Sequence, residues 1–151
     1  MKTEARKFKT FTEVLDFAIE REKEAYTFYE RLADTVKKPE LVRVIKGLAA
    51  EEVEHKIKLE EVRDGRAEIG TKEVGNLRIA DYLPNVEPGP DMSYIDLLIV
   101  AIKKENLSCR LYTDIAAITG RTDLTDIFLK LAQEEAGHKL RFEFEYDLEK
   151  F

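Results

Sequence analysis

The chain has 151 residues, of which 37% are charged, with a net charge of −6 and a single cysteine. This length predicts one domain, residues 1–151. The single cysteine excludes an intramolecular disulfide and a Cys-x-x-Cys metal knuckle. The lack of a basic stripe argues against nucleic-acid binding. The charged amino-terminal segment has no signal-peptide core and the longest apolar run, 97–102, is too short to span a membrane, so we expect a cytoplasmic protein.

The first predicted element is a helix over about residues 11–36. Thr10, followed three residues later by Glu13, has the spacing of a capping box at a helix start. Inward positions then recur every three or four residues, which is typical of one apolar stripe facing a core. A glutamate, Glu22, occupies one of these inward positions.

The second helix is predicted over about residues 39–64, with Pro39 in its first turn and Gly65 at its end. Glu52 and His55 lie in its inward stripe, where apolar side chains are expected. The Glu-x-x-His spacing places both side chains on one face of the helix. Because a buried carboxylate costs several kcal/mol unless it is paired, this pattern indicates a metal site.

Residues 65–92 interrupt the helical pattern with three glycines and the segment PNVEPGP. Connections of this length are uncommon in compact domains and usually mark a crossover or a functional segment. A helix of about 25 residues is nearly 40 Å long. A crossover of this length therefore fits a bundle in which the second and third helices run parallel.

The third and fourth helices are predicted over about residues 93–119 and 123–148, separated by Gly120. Ser93 and Asp96 have capping spacing at the start of the third helix. The inward stripes of these helices again contain polar residues, namely Glu105, Glu135 and His138.

The two halves of the chain repeat at a spacing of 83 residues. In each hairpin, the glutamates of the two helices are equally far along the chain from the turn, so they lie at the same height. Two such hairpins related by a pseudo-two-fold axis would place four carboxylates and two imidazoles in one core layer. Two divalent cations would offset the repulsion among these carboxylates. The residues that recur as the same type are Glu22, Tyr29, Glu51, Glu52 and His55, matched by Glu105, Tyr112, Glu134, Glu135 and His138.

A buried ion-pair network without metal is the alternative for this polar layer. The inward positions of the four helices contain no lysine or arginine that would complete such a network. One Glu-x-x-His pair is a weak signal by itself, whereas two copies at matching positions of a repeat are specific. The pattern therefore favours a metal site over a metal-free structural bundle.

Four motifs together resemble the ferritin-like di-iron carboxylate proteins, and among them the rubrerythrin-like branch. The motifs are EKEAYTFY (22–29), EVEH (52–55), ENLSCRLY (105–112) and EAGH (135–138). The resemblance covers all four helices and implies an all-α, ferritin-like four-helix bundle, built from two helical hairpins with a long crossover between the second and third helices.

The resemblance also implies a set of ligands for two metal ions. Glu52 and Glu135 would bridge the two ions. Glu22 and Glu105 would each bind one ion, and His55 and His138 would bind through nitrogen. Oxygen and nitrogen ligands without thiolate suit iron, with manganese or a mixed iron–manganese pair as alternatives.

Tyrosines and glutamates beside these ligands are candidates for supporting them. The resemblance implies that Tyr29 and Tyr112 act next to the ligands, although ordinary core tyrosines would show the same pattern. A metal-bound histidine usually donates its other ring N–H to a carboxylate. Glu134 is the candidate partner of His55, and Glu51 is the candidate partner of His138. The alternative is that both glutamates are solvated charges on a helix face.

The chain differs from rubrerythrins proper in two respects. Its single cysteine, Cys109, excludes a four-cysteine rubredoxin-type module within these residues, and we interpret it as a packing residue. Ser108 lies where rubrerythrins have an additional glutamate. Electrons would therefore come from a separate donor protein.

The resemblance implies a di-metal oxidoreductase of the peroxidase, oxidase or ferroxidase type, which reduces H2O2 or O2 or oxidises Fe(II) and acts against oxidative stress. The first alternative is an iron-binding or storage protein with a ferroxidase centre, and the second is the metal-free bundle. A homodimer or a larger homo-oligomer is also expected, and no membrane or nucleic-acid partner. Abundant Glu and Lys with little Gln hint at a thermophilic source.

Overall fold

The computed structural model describes residues 8–65, 77, 79–82 and 89–150. In these residues the regular structure consists of four α-helices and one short 3-10 helix, Ile79–Tyr82, without a strand. The predicted all-α four-helix bundle is therefore confirmed. None of the described helices is both long enough and apolar enough to cross a lipid bilayer. The α-helices are α1 (Phe11–Asp34), α2 (Pro39–Gly65), α3 (Tyr94–Ile118) and α4 (Thr122–Lys150).

The helix starts follow from local capping. The side chain of Thr10 accepts a hydrogen bond of 3.0 Å from the backbone N–H of Glu13, and Ser93 caps α3 in the same way. The carboxylate of Glu13 accepts from the backbone N–H of Lys9 rather than from that of the capping residue. α2 begins at Pro39, whose fixed φ suits a first helical turn.

The ends of the helices differ from the predicted ones by one or two residues, as is common for frayed termini. α1 ends at Asp34 rather than at residue 36, because the backbone N–H and the hydroxyl of Thr35 both bond to the carbonyl oxygen of Leu32 and tighten the last turn. Between α3 and α4, Gly120 has a φ of 69°. This left-handed conformation costs glycine little, which lets the chain reverse in a short turn.

The directions of the helices follow from contacts across the bundle. Tyr29 in α1 bonds to Glu105 in α3, and Glu22 in α1 bonds to Tyr112 in α3. Residue numbers therefore increase in opposite directions along these two helices. Because each helix also runs antiparallel to its hairpin partner, α2 and α3 are parallel, as a long crossover requires.

The crossover follows α1 on the side where α1 faces α3. Successive described points of the connection contact the segment before α1, its second turn and its last turn, so the chain returns along the length of the bundle. Residues 66–76, 78 and 83–88 of the predicted crossover lie outside the described residues. The contacts join Phe8 to Leu77, Phe17 to Tyr82, and Arg31 to Gly89.

Two apolar clusters fill the core, one toward each end of the bundle. The first includes Leu15, Leu59 and Phe128, and the second includes Leu32 and Phe142. Burying each such side chain contributes roughly 1.5–3 kcal/mol to folding. The layer between the two clusters is polar, and it contains the candidate metal ligands.

Candidate metal centre

Six polar side chains lie in the middle of the bundle, one from each of α1 and α3 and two from each of α2 and α4. Each of them is at most 4% exposed. Helical spacing alone directs them inward, because they continue the apolar stripes of their helices. They are the six predicted metal ligands, Glu22, Glu52, His55, Glu105, Glu135 and His138.

The six side chains form two overlapping groups of potential metal ligands. In each group, three carboxylates and one imidazole offer ligand atoms that all lie within 4.8 Å of one another. Both groups contain Glu52 and Glu135. The first group is completed by Glu22 and His55, and the second by Glu105 and His138.

The hydrogen bonding of this layer tests whether the residues fit metal ions. Buried polar atoms are normally paired. Among the described residues, ten buried side-chain polar atoms have no hydrogen-bond partner, and seven of them belong to these six side chains. Although Nδ1 of His55 lies 3.1 Å from Oε1 of Glu52, both atoms are among the unpaired ones. Two divalent cations would satisfy these atoms and balance four carboxylates, so the residues fit a two-metal site.

Burial and mutual repulsion make Glu52, Glu105 and Glu135 hold their protons to higher pH than usual. Burial first, and then repulsion from Glu135, raise the pKa of Glu52 to about 8. Burial and repulsion from Glu105 likewise raise the pKa of Glu135 to about 8, and burial with repulsion from Glu52 does the same to the pKa of Glu105. A bound cation reverses this effect, because it favours the ionised carboxylate.

Each histidine is oriented by a glutamate from the other hairpin. Nε2 of His55 lies 2.8 Å from Oε1 of Glu134, and Nε2 of His138 lies 3.0 Å from Oε1 of Glu51. A carboxylate accepts hydrogen bonds, so Nε2 carries the proton and donates in both pairs. Nδ1 of each ring faces the carboxylate cluster, and a metal ion bound there would take the place of the second ring proton.

The two imidazoles also share their environment. Their rings are stacked with centroids 6.0 Å apart. Burial lowers the pKa of His55 and of His138, but the carboxylates around them have the larger net effect and raise both above the usual value of 6.5. The two supporting glutamates, Glu51 and Glu134, are 48% and 38% exposed, so they connect the buried imidazoles to the surface.

The two predicted tyrosines pair crosswise with the glutamates at the outer positions of the layer. The hydroxyl of Tyr29 donates to Glu105, and that of Tyr112 donates to Glu22. Burial, followed by the charge of the paired glutamate, raises the pKa of each tyrosine well above 10. Both hydroxyls therefore keep their protons at neutral pH and act as hydrogen-bond donors.

Sequence patterns missed two buried residues, of which one lies beside this layer. Tyr82 is buried beside it but comes from the non-periodic crossover, which offers no signal. Glu145 continues the α4 stripe three residues after Phe142 and is also buried, paired with Arg141 at 2.9 Å, so the periodicity contained a signal for it. Cys109 packs against the first apolar cluster, as its interpretation as a packing residue requires.

Comparisons with known proteins agree with this geometry. No match to a curated protein was found. The structure is similar to that of a hypothetical protein from Pyrococcus furiosus, with a TM-score of 0.70 and 27% identity over 91% of this chain and 88% of that chain. The Rubrerythrin family model matches residues 10–92, more than half of the chain, which include Glu22, Glu52 and His55. The chain therefore belongs to the rubrerythrin family.

Proposed function

We propose that this protein is a di-iron oxidoreductase that reduces H2O2 or O2. The observation that supports it most is the pair of ligand groups that share Glu52 and Glu135. Oxygen and nitrogen ligands suit iron, and manganese or a mixed pair are the alternatives for the test below. When bound, a ferrous pair supplies the two electrons that, with two protons, reduce H2O2 to two molecules of water.

The side chains of the bundle would bind and orient the ions. Glu52 and Glu135 would contact both, while the supporting glutamates keep Nδ1 of His55 and His138 directed at them. Tyr29 holds one oxygen of Glu105, leaving Oε1 without a hydrogen bond and available as a ligand. The low exposure of the layer limits the access of water and of larger solutes.

Electrons would have to reach the buried layer from a donor, which we propose to be a separate protein. One path from the surface runs through the half-exposed Glu51 and Glu134 to the imidazoles of His138 and His55. This path lies on the side where α2 and α4 meet. A donor that docks there would approach the edges of both histidine rings.

The proposal is tested by loading the protein with Fe(II) without oxygen, adding H2O2, and supplying a reductant. We expect two iron ions per chain, a ferric absorption that bleaches on reduction, and repeated consumption of peroxide. Glu52→Gln should lose this behaviour, whereas Glu54→Gln, an exposed change two residues away in the same helix, should keep it. Failure of the wild-type protein to bind two ions, or to oxidise them, would contradict the proposal.

The same experiment separates the oxidoreductase from an iron store. A store would retain many iron ions per chain after repeated additions of Fe(II) and O2, and would elute as a large shell on size-exclusion chromatography. An oxidoreductase would stop at about two ions per chain.

A further inference from the structure

A small cavity leads from the surface to the carboxylate layer between α1 and α3. At its outer side it is lined by Glu24, whose side chain is 48% exposed, and by Arg21 and Lys104. At its inner side it reaches Glu52 and Glu105, each 1% exposed. Because Glu52 belongs to both ligand groups and Glu105 to the second, the cavity reaches both groups.

The repeat explains where this cavity lies. Arg21 and Lys104 occupy equivalent positions of α1 and α3, and so do Ala25 and Ser108, which both line the cavity. Small side chains at this second pair leave space between α1 and α3. Tyr82 from the crossover forms a further wall, and its hydroxyl is held 2.8 Å from Oδ2 of Asp114.

The cavity has room for only a very small molecule. Its volume is about 20 Å³, and a buried water needs roughly 10–15 Å³ measured in the same way. O2 and H2O2, with two heavy atoms each, are close to this size. An organic hydroperoxide such as tert-butyl hydroperoxide has a branched carbon group that this space does not accommodate.

Charged groups that line the outer side of the cavity also contact neighbouring side chains. The guanidinium of Arg21 bonds to Glu24 at 2.8 Å and lies 4.6 Å from the ring centre of Phe17. The ammonium of Lys104 lies 5.6 Å from the ring centre of Phe28. These cations favour the approach of small anions and polar molecules to the outer side of the cavity.

We propose that this cavity, named here the seam cavity, is the entrance by which the oxidant reaches the metal layer, and that its size selects H2O2 and O2 against organic hydroperoxides. The selection rests on the proposed redox function. The entrance itself does not, since any small ligand of the metal ions would use it. Ser108 is the residue at which the entrance is most directly closed, because a larger side chain there projects into the narrow space.

Azide binding to the Co(II)-loaded protein tests the entrance without any redox reaction. In stopped-flow measurements of the Co(II) absorption, Ser108→Leu should slow azide binding at least tenfold. Thr113→Leu, which adds similar bulk at an exposed position of α3, should leave the rate unchanged. Ala25→Val provides the same test from the opposite helix if the leucine variant does not fold. Equal rates in the cavity variants and the control would overturn the proposal.

Single-turnover oxidation of the ferrous protein tests the selection. We expect H2O2 to react at least a hundredfold faster than tert-butyl hydroperoxide, and Leu107→Ala, which widens the seam cavity, to reduce this ratio. Comparable rates for both oxidants in the wild-type protein would overturn the selection. If azide enters through the cavity but H2O2 oxidises nothing, the entrance stands and the proposed function fails.

Discussion

The two hairpins of this protein present the same ligands in different surroundings. Hairpin α1–α2 and hairpin α3–α4 match at every metal-layer position, and each orients a histidine of the other through a glutamate. At the seam cavity they differ, since Glu24 and Ala25 of α1 correspond to Leu107 and Ser108 of α3. Two ions that share their ligands require equivalent residues from both hairpins, whereas access needs only one opening.

The largest expected effect comes from removing a shared carboxylate from either hairpin. Glu52→Gln and Glu135→Gln should each abolish tight binding of two ions, because both side chains belong to both ligand groups. Metal content per chain after dialysis checks this. If one variant still binds two ions tightly, the two hairpins are not equivalent and the bridging assignment is wrong.

The polar layer should also give the metal-free and metal-loaded proteins opposite pH dependence. With the pKa of Glu52, Glu105 and Glu135 raised to about 8, the folded metal-free chain keeps protons that the unfolded chain releases above about pH 4.5. Its free energy of unfolding should therefore fall as pH rises from 4.5 to 8. Loaded protein, with deprotonated ligands, should instead gain stability over this range.

Denaturant unfolding at several pH values, with chelator and with Fe(II) under anaerobic conditions, measures both slopes. In the metal-free protein, Glu52→Gln and Glu135→Gln should each make the fall of unfolding free energy with pH less steep, because each variant lacks one carboxyl group with a raised pKa. Parallel slopes for the metal-free and loaded proteins would show that the layer does not exchange protons for metal.

A smaller effect is expected at the glutamates that orient the histidines. Glu51→Gln and Glu134→Gln should each weaken metal binding by roughly tenfold. This is the low end of the effect of removing a carboxylate that supports a metal-bound histidine, because both side chains are half exposed. The matched control is Glu54→Gln on the exposed face of α2. Competition with a coloured chelator measures the affinities, and unchanged affinity in both variants would identify these glutamates as surface charges.

The smallest effect is expected at the tyrosines. Tyr29→Phe and Tyr112→Phe each remove a buried donor and leave a glutamate oxygen unpaired, which should destabilise the metal-free protein by about 1–3 kcal/mol. Chemical denaturation of the two variants measures this. Similar losses would show that the crossed pairs are equivalent, whereas a loss in one variant alone would place the asymmetry of the hairpins inside the metal layer.

Much of the fold was predictable because helical periodicity is a local property. The caps at Thr10 and Ser93 and the inward positions of Glu22, Glu52 and His55 all follow from residue spacing within one helix. The turn at Gly120 follows from the backbone freedom of glycine. The ends of the helices were less certain, because bonds such as those of Thr35 to Leu32 decide where the last turn closes.

By itself, the sequence determined the four helices, the repeat and the six side chains of the buried polar layer, since spacing along a helix decides which residues share a face. Only the tertiary structure decided that Tyr29 bonds to Glu105 of the opposite hairpin, and that Tyr82 and Ser108 come together at the seam cavity. These relations join helices far apart in the chain. They depend on how the hairpins and the crossover pack, which arises from many side-chain contacts at once and has no period that a single sequence displays.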